Sequence, residues 1–216
     1  MLPSKSCIEK LCHEFVEYDK EWEGSVIIHA IKNDKPICVF GVLNTVLGKK
    51  IRDEMIGWLT DNYSVIELYH NGKCYEYPSI KLAQKISIEL GVPFTLYIHT
   101  KGAYNNNKFQ TPVRDIWRIE FSTDRKNIYF KSIETDNPTV VAPFIGPEGQ
   151  TWFNAFFCNR AAWFVKNVEK NSNRFWFEHI FRLEDNVKLT GVICKDISAH
   201  DVIIRVWKHR IKNMPK

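Results

Sequence analysis

Apolar and polar residues follow two different periods along the first half of the chain, and these periods predict strands and helices in alternation. Apolar runs rich in Val and Ile predict four strands, at 25–30, 36–43, 65–69 and 93–99. Between these runs, apolar residues recur every three or four positions, which predicts helices over 5–19, after Gly48, over 79–90 and from Thr111. Strands that alternate with helices are typical of an α/β fold with a mostly parallel sheet flanked by helices.

Turn-forming and capping residues mark the ends of some of these elements. Asn71 and Gly72 form a turn signal after the third strand, and Pro78 suits the first turn of the helix that follows. Thr111 is expected to cap the next helix. The run at 36–43 is nearly all apolar, which predicts a strand buried on both faces.

The second half of the chain is less regular. We predict strands at 127–133, 138–144, 152–157 and 189–194, and helices after Asn159, over 173–183 and from about 198 to 212. The last helix is basic and amphipathic, with an apolar stripe formed by Val202, Ile203, Val206, Trp207 and Ile211. Because no repeat, low-complexity tract or linker interrupts the pattern, we expect a single domain over 1–216.

Composition adds little to this picture and cysteine usage adds one constraint. Hydrophobic residues make up 44% and charged residues 25%, which argues against disorder and fibrous repeats. The aromatic content of 13% indicates either an aromatic core or a site that stacks on rings. The six cysteines, without an export signal, are expected to be reduced thiols. Cys7, Cys12 and His13 cluster locally, but no second ligand pair at zinc-site spacing accompanies them.

The charge distribution argues against a general nucleic-acid-binding protein. The formal charge is +5, but residues 201–216 hold five basic residues and one acidic residue, so the other 200 residues carry only +1. No apolar run approaches the roughly 20 residues that span a bilayer, and the polar N-terminus does not resemble a signal peptide. We therefore expect a cytoplasmic protein.

Several familiar signatures are absent from the sequence. It contains neither the glycine-rich dinucleotide motif nor the P-loop, and it lacks the nucleophile elbow, the zinc-protease motif and the Cys-x-x-Cys pair. The Asp-x-Asp pair with which many nucleotide-sugar enzymes hold a metal diphosphate does not occur either. A phosphate site in this protein would have to be built from other residues.

A candidate anion site follows the strand predicted at 93–99. His99, Thr100, Lys101 and Gly102 place an imidazole, a hydroxyl, an ammonium and a glycine backbone where ligands collect in open α/β sheets. Arg114 and Arg118 lie four residues apart near the start of the next helix, so both can project from one face. The alternative interpretation is that the three cations are solvated surface residues and that His99 merely ends a strand.

These segments together resemble a family of bacterial surface-polysaccharide glycosyltransferase-like proteins. The family pattern has a Tyr-Pro helix, a strand that ends in His-Thr-Lys-Gly and a Trp-Arg helix, and this chain matches it in order and spacing over 75–121. A weaker similarity continues over 152–164. There the family usually reads Gly-Asn-Phe-Trp-Trp, whereas this chain reads Asn-Ala-Phe-Phe-Cys at 154–158.

The resemblance implies a GT-A-like, Rossmann-type fold. It implies a nucleotide-sugar half over about 22–122, an acceptor half over about 123–197 and a C-terminal helix over about 198–212. It also implies that the side chains and backbone of 99–102, together with Arg114 and Arg118, offset the charge of the leaving diphosphate. A divalent Mn or Mg ion at this site stays an open option.

The acceptor side would carry a general base and groups that contact the saccharide. Glu178 is our first choice for the base and Glu148 our second. The alternative is that both are exposed, solvated acids with no catalytic role. Side chains expected on the acceptor side are Trp152, Asn154 and Phe156, although core packing explains such aromatic segments equally well.

The function expected from the resemblance is transfer of a sugar from a nucleotide-sugar donor to a cell-surface polysaccharide or lipid-linked acceptor. The rival hypothesis is a non-catalytic nucleotide- or sugar-binding module, which the missing Asp-x-Asp pair and the altered 154–158 segment favour. The basic helix at 198–212 could also contact an anionic surface at the inner membrane face, or it could simply be a packed helix with a solvated outer side.

Overall fold

The computed structural model describes residues 2–18, 21, 23–103, 110–122, 125–146, 148–171, 173–181, 186–193 and 199–212. The helices in this part of the chain are α1 (Lys5–Tyr18), α2 (Val46–Asn62), α3 (Tyr77–Glu89), α4 (Gln110–Ser122), α5 (Arg125–Ile133), α6 (Arg160–Phe164) and α7 (Ala199–Lys212). The strands are β1 (Ser25–Ile28), β2 (Ile37–Leu43), β3 (Ser64–His70), β4 (Phe94–His99), β5 (Thr139–Ile145), β6 (Phe156–Asn159) and β7 (Lys188–Ile193). Two short 3₁₀ helices cover Trp152–Asn154 and Arg174–His179.

The strands form one sheet in the order β1-β3-β2-β4-β6-β5-β7. Strand β2 lies between β3 and β4 and is parallel to both, and β5 is parallel to β7. Strands β1 and β6 run against their neighbours. The prediction of an α/β fold with a sheet flanked by helices is therefore confirmed, but the sheet is mixed: β3, β2 and β4 are parallel neighbours, as are β5 and β7, and the other three pairings are antiparallel.

Helices cover both faces of the sheet, because the inner strands are apolar on both sides. Every residue of β2 is buried, as its continuous apolar run predicts. Apolar side chains of α1, α3 and α6 pack on one face, and those of α2, α4, α5 and α7 pack on the other. The sheet therefore separates two hydrophobic clusters, which is the layering expected of an α/β domain.

Two predicted strands of the second half differ in type from the structure, the second of them only over its first residues. The strand predicted at 127–133 is helix α5, in which Tyr129 and Ile133, four residues apart, are buried while Ile128 is exposed. The strand predicted at 152–157 begins as a 3₁₀ helix because Phe153 and Asn154 have φ values of 63° and 55°. A strand then starts only at Phe156.

Two predicted helices differ from the structure in their extent. The helix predicted at 173–183 is a 3₁₀ helix over Arg174–His179, and residues 182 and 183 lie outside the described part of the chain. Helix α4 begins at Gln110, so Thr111 lies inside it, where its hydroxyl accepts a hydrogen bond from Arg114 rather than capping the helix.

The predicted basic helix at the end of the chain is confirmed as α7, which packs on α4. Ile203 is fully buried, and the Trp207 indole donates a hydrogen bond of 3.1 Å to Asp115 on α4. Arg205 and Lys208 are exposed on the outer side of the helix. Among the described residues, no helix has the length and hydrophobicity needed to span a bilayer.

Asn159 joins three elements of the second half. Its side-chain oxygen accepts hydrogen bonds of 3.0 Å from the backbone amides of Ala162 and Thr139, so the predicted cap of α6 is confirmed. Its amide nitrogen donates to backbone carbonyls between α5 and β5, including that of Asn137 at 2.8 Å. Because Asn159 is buried, these backbone groups would have no water to replace a lost partner.

We expect Asn159→Ala to lower the free energy of unfolding by about 2–4 kcal/mol, because it removes a helix cap and leaves buried backbone groups without partners. Urea denaturation followed by circular dichroism measures this change. The matched control is Asn173→Ala, which removes an exposed cap from the second 3₁₀ helix and should lower the free energy by about 1 kcal/mol or less. Equal losses in the two variants would contradict the role of Asn159 as a buried junction.

Candidate functional site

A cavity of about 390 Å³ lies at the carboxyl ends of the parallel strands β2, β3 and β4. Ligands of open α/β sheets commonly bind at this edge. The residues that line the cavity are Gly41, Leu43, His70, Tyr75, Glu76, His99, Thr100, Lys101, Gly102, Ala103 and Gln110. The four residues of the predicted anion site, 99–102, therefore all line one cavity.

Strand register brings the two histidines of the cavity to one face of the sheet. Gly41 of β2 is paired with His99 of β4, and Leu43 of β2 is paired with His70 of β3. Paired residues share a face, and so do residues two apart on one strand, so Gly41, His99 and His70 lie on the same face of the sheet. Leu43, at the end of β2, packs with the hydrophobic cluster of the other face. Glycine is needed at 41 because a Cβ atom there would lie 2.6 Å from the hydroxyl of Ser79.

Backbone hydrogen bonds hold the residues that follow β4 in a tight turn. The Thr100 amide donates to the Gly41 carbonyl at 2.9 Å, and the Thr100 hydroxyl accepts a hydrogen bond of 3.1 Å from the Leu43 amide. Gly102 has a φ of +92°, which favours glycine at this position. The Thr100 side chain therefore extends the pairing of β2 with β4 beyond the end of the strand.

Lys101 is anchored through its backbone while its side chain reaches the second half of the chain. Its carbonyl accepts a hydrogen bond of 2.8 Å from Arg114, which is buried on α4. Its ammonium nitrogen lies 5.2 Å from the centre of the Phe153 ring, within the range of a cation–π contact. Arg114 thus supports the turn that presents the lysine to the cavity.

The structure places the two predicted arginines away from the cavity lining. Arg114 uses its guanidinium on the Lys101 carbonyl and on Thr111, and a carboxylate oxygen of Glu54 lies 3.5 Å from it. Arg118 is about half exposed and lies 4.0 Å from Asp115. Neither arginine is among the described residues that line the cavity. Their contact with a diphosphate stays a prediction.

Glu76 lines the cavity beside His99, and sequence reasoning gave it no role. One of its carboxylate oxygens lies 3.6 Å from His99 Nε2, and the other accepts a hydrogen bond of 3.1 Å from the Asn154 side chain. Asn154 is fully buried. The only hint in the sequence was that Glu76 directly precedes the helix that Pro78 opens.

The imidazole of His99 is also held by two aromatic rings. The Tyr97 ring centre lies 5.9 Å away in a stacked arrangement, and that of Trp117 lies 5.5 Å away edge-on. Aromatic neighbours at such distances fix ring orientation. Together with Glu76, they define where Nε2 of His99 points.

Three residues at the margin of the site adopt left-handed backbone conformations. These are Tyr75, with a φ of 52°, and the adjacent Phe153 and Asn154. Such conformations cost on the order of 1–3 kcal/mol each in non-glycine residues, and they concentrate at functional sites. The strain coincides with the two segments that position Glu76 and contact Lys101.

The other predicted acceptor-side residues are not among the described residues that line the cavity. The Glu178 carbonyl accepts a hydrogen bond of 2.7 Å from Thr151, which ties the second 3₁₀ helix to the turn before Asn154. Glu148 is exposed and accepts a hydrogen bond from Gln150. Phe156 is buried in the core, and Trp152 is partly buried against the other cluster.

His70 is the second residue of the cavity that sequence reasoning missed. Its side chain is 5% exposed, and its Nδ1 atom has no hydrogen-bond partner among the described residues. Burial lowers the pKa of His70 to about 4, so its imidazole is neutral at physiological pH. A buried polar atom without a partner calls for an explanation, and a ligand in the cavity supplies one.

Two further observations bear on what the chain binds. Among the described residues, no group of three or more His, Cys, Asp or Glu side chains is arranged to hold a metal ion. A more open groove of about 750 Å³ lies at the amino ends of β2 and β4, beside Pro36 and Pro93.

Comparison of the chain with family models, curated proteins and solved structures gives no match.

We expect His70 to make folding stability depend on pH between about 4 and 6.5. The unfolded chain takes up a proton on this residue near pH 6.5 while the folded chain keeps it neutral down to about pH 4, so the free energy of unfolding falls as the pH falls. His70→Gln removes this effect. Relative to the variant, wild type should lose up to about 3 kcal/mol between pH 7 and pH 4 in urea denaturation. Parallel pH profiles would contradict the buried neutral histidine.

Proposed function

We propose that the protein is a nucleotide-sugar-dependent glycosyltransferase of GT-A-like fold that transfers a sugar to a cell-surface polysaccharide or lipid-linked acceptor. The observation that carries the proposal is that His99, Thr100, Lys101 and Gly102 line a cavity at the carboxyl end of a central parallel strand. This is the place that the resemblance gives to the diphosphate of the donor.

The cavity can offset the charge of a diphosphate in two ways. The Lys101 side chain provides a formal positive charge at the rim. Tyr75 and Glu76 line the cavity and directly precede α3, so the positive end of the α3 dipole lies beside it. Stabilising the charge that develops on the leaving diphosphate is the main catalytic contribution that such groups can make.

We assign the role of general base to Glu76 in place of Glu178 and Glu148. Among the described residues, Glu76 is the one acidic side chain that lines the cavity, and Asn154 fixes its orientation. In the proposed step the acceptor oxygen bonds to the anomeric carbon and the bond from that carbon to the diphosphate breaks. The diphosphate leaves with the electron pair, and the Glu76 carboxylate takes the hydroxyl proton.

A divalent metal could be held by His99 and by one oxygen of Glu76, but this would make the carboxylate less basic, so holding a metal and acting as the base are alternative roles of Glu76. His99 Nε2 and the near oxygen of Glu76 lie 3.6 Å apart, and a bound diphosphate would supply further oxygens. No step of the proposed reaction runs through a metal. The exposed Arg205 and Lys208 of α7 support contact with an anionic membrane surface, where a lipid-linked acceptor would be found.

The rival function is a non-catalytic module that binds a nucleotide or sugar in the same cavity. It is favoured by the position of Glu178 and Glu148 outside the described cavity lining. The two functions differ in turnover and not in binding, so a rate measurement distinguishes them.

Lys101→Ala should weaken the binding of nucleoside diphosphates by roughly ten- to a hundredfold and leave nucleoside binding almost unchanged. The reason is that a charge-assisted contact of the ammonium contributes about 1.5–3 kcal/mol to phosphate binding. Isothermal titration calorimetry with nucleosides and their diphosphates measures the difference. Lys10→Ala, on the exposed side of α1, is the matched control and should bind both ligands like wild type. An equal loss of nucleoside and diphosphate affinity in Lys101→Ala would refute the phosphate contact.

Glu76→Gln should lower the rate of sugar transfer or donor hydrolysis by about 10²- to 10⁴-fold, the usual contribution of a general base. Affinity for the nucleoside diphosphate should stay equal or increase, because a negative charge has been removed from the cavity. A panel of nucleotide sugars with product detection by mass spectrometry provides the rates. Glu178→Gln is the control and should retain most activity. A normal rate in Glu76→Gln, with a collapse in Glu178→Gln, would return the base to Glu178.

A further inference from the structure

His70 lies at the end of the cavity away from the residues that suit phosphate. It is the last residue of β3, whereas Lys101 follows β4, and β2 lies between these two strands. Neighbouring strands are about 4.8 Å apart, so the two strand ends are separated by roughly 10 Å across the sheet. A ligand that reaches both residues must therefore extend across the end of β2.

The surroundings of His70 suit an uncharged polar group. Its imidazole is neutral and buried, with Leu43 beside it in register on β2. Tyr75 and Leu43 line the cavity and give it apolar surface. A phosphate would gain no charge-assisted contact from these groups, while a neutral hydrogen-bonding group would satisfy Nδ1.

The order of groups in a nucleotide sugar decides which part reaches His70. The sugar is joined directly to the terminal phosphate, whereas the base is separated from the phosphates by the ribose. Glu76, the proposed base, lies 3.6 Å from His99 on β4 and must reach the acceptor at the anomeric carbon, so the sugar lies on the β4 side of the cavity. The nucleoside, at the other end of the diphosphate, is then the group that lies across β2.

We infer that His70 recognises the nucleoside of the donor by a hydrogen bond at its imidazole Nδ1, and that this contact sets the direction in which the nucleotide lies across β2. The inference rests on the proposed function, because it takes the ligand to be a nucleotide. It assigns the two ends of the cavity to different chemistry: the His70 end to the uncharged nucleoside and the Lys101 end to the diphosphate.

Calorimetry with three kinds of probe tests the inference. The probes are nucleosides of the four RNA bases, their diphosphates and inorganic diphosphate. His70→Phe keeps an aromatic ring of similar size and removes the hydrogen bond, so nucleoside and nucleoside diphosphate affinities should fall by about three- to tenfold. Inorganic diphosphate should bind as it does to wild type. This is the converse of the pattern expected for Lys101→Ala.

His70→Asn is the rescue variant, because its side chain places a polar atom near the position of Nδ1. It should recover at least part of the nucleoside affinity that the phenylalanine variant loses. If the phenylalanine variant does not fold, His70→Leu replaces it as the variant that removes the hydrogen bond. If wild type binds no nucleotide of the panel, the proposed function is refuted and the inference with it. If wild type binds a nucleotide and both variants bind it equally well, or if inorganic diphosphate weakens as much as the nucleoside, only the inference is overturned.

Discussion

The parallel pairing of β2 with β3 on one side and β4 on the other is the constraint on which the candidate site depends. This register places Gly41 opposite His99 and Leu43 opposite His70, so a slip by one residue would turn one histidine to the other face of the sheet. The missing side chain at Gly41 lets α3 approach closely through Ser79. Thr100 closes the arrangement by bonding the Leu43 amide after β4 has ended.

A second set of contacts makes the cavity a product of both halves of the chain. The first half supplies Glu76 at the start of α3, and the second half supplies Asn154, which holds its carboxylate. The strained turn at 153–154 is fixed in turn by Thr151, whose amide donates to the Glu178 carbonyl. The backbone of Glu178 therefore supports the turn that carries Asn154, and Asn154 orients Glu76. The segment around Glu178 contributes to the site in this way, although the Glu178 carboxylate does not line the cavity.

The sequence predicted the elements whose apolar pattern was unambiguous. Strands β2, β3 and β4 were predicted close to their true positions because they are rich in apolar and β-branched residues, and β2 is a nearly continuous apolar run. The residues after β4 were identified as a candidate site because ligands of α/β sheets collect where parallel strands end. Helix α5 was missed because its apolar residues, Ile128, Tyr129, Phe130 and Ile133, lie so close together that they fit the period of a strand as well as that of a helix. His70 and Glu76 were missed for a different reason: they join His99 only through strand register and helix placement, which local patterns do not contain.

The most direct measurement of the central claim is a crystal structure of the protein with a bound nucleoside diphosphate. We predict that phosphate oxygens lie within hydrogen-bond distance of Lys101 Nζ, and that the nucleoside extends across the end of β2 towards His70. A nucleotide bound in the groove beside Pro36 and Pro93, or with its phosphates away from Lys101, would contradict the claim that the cavity at the carboxyl ends of β2, β3 and β4 is the donor site.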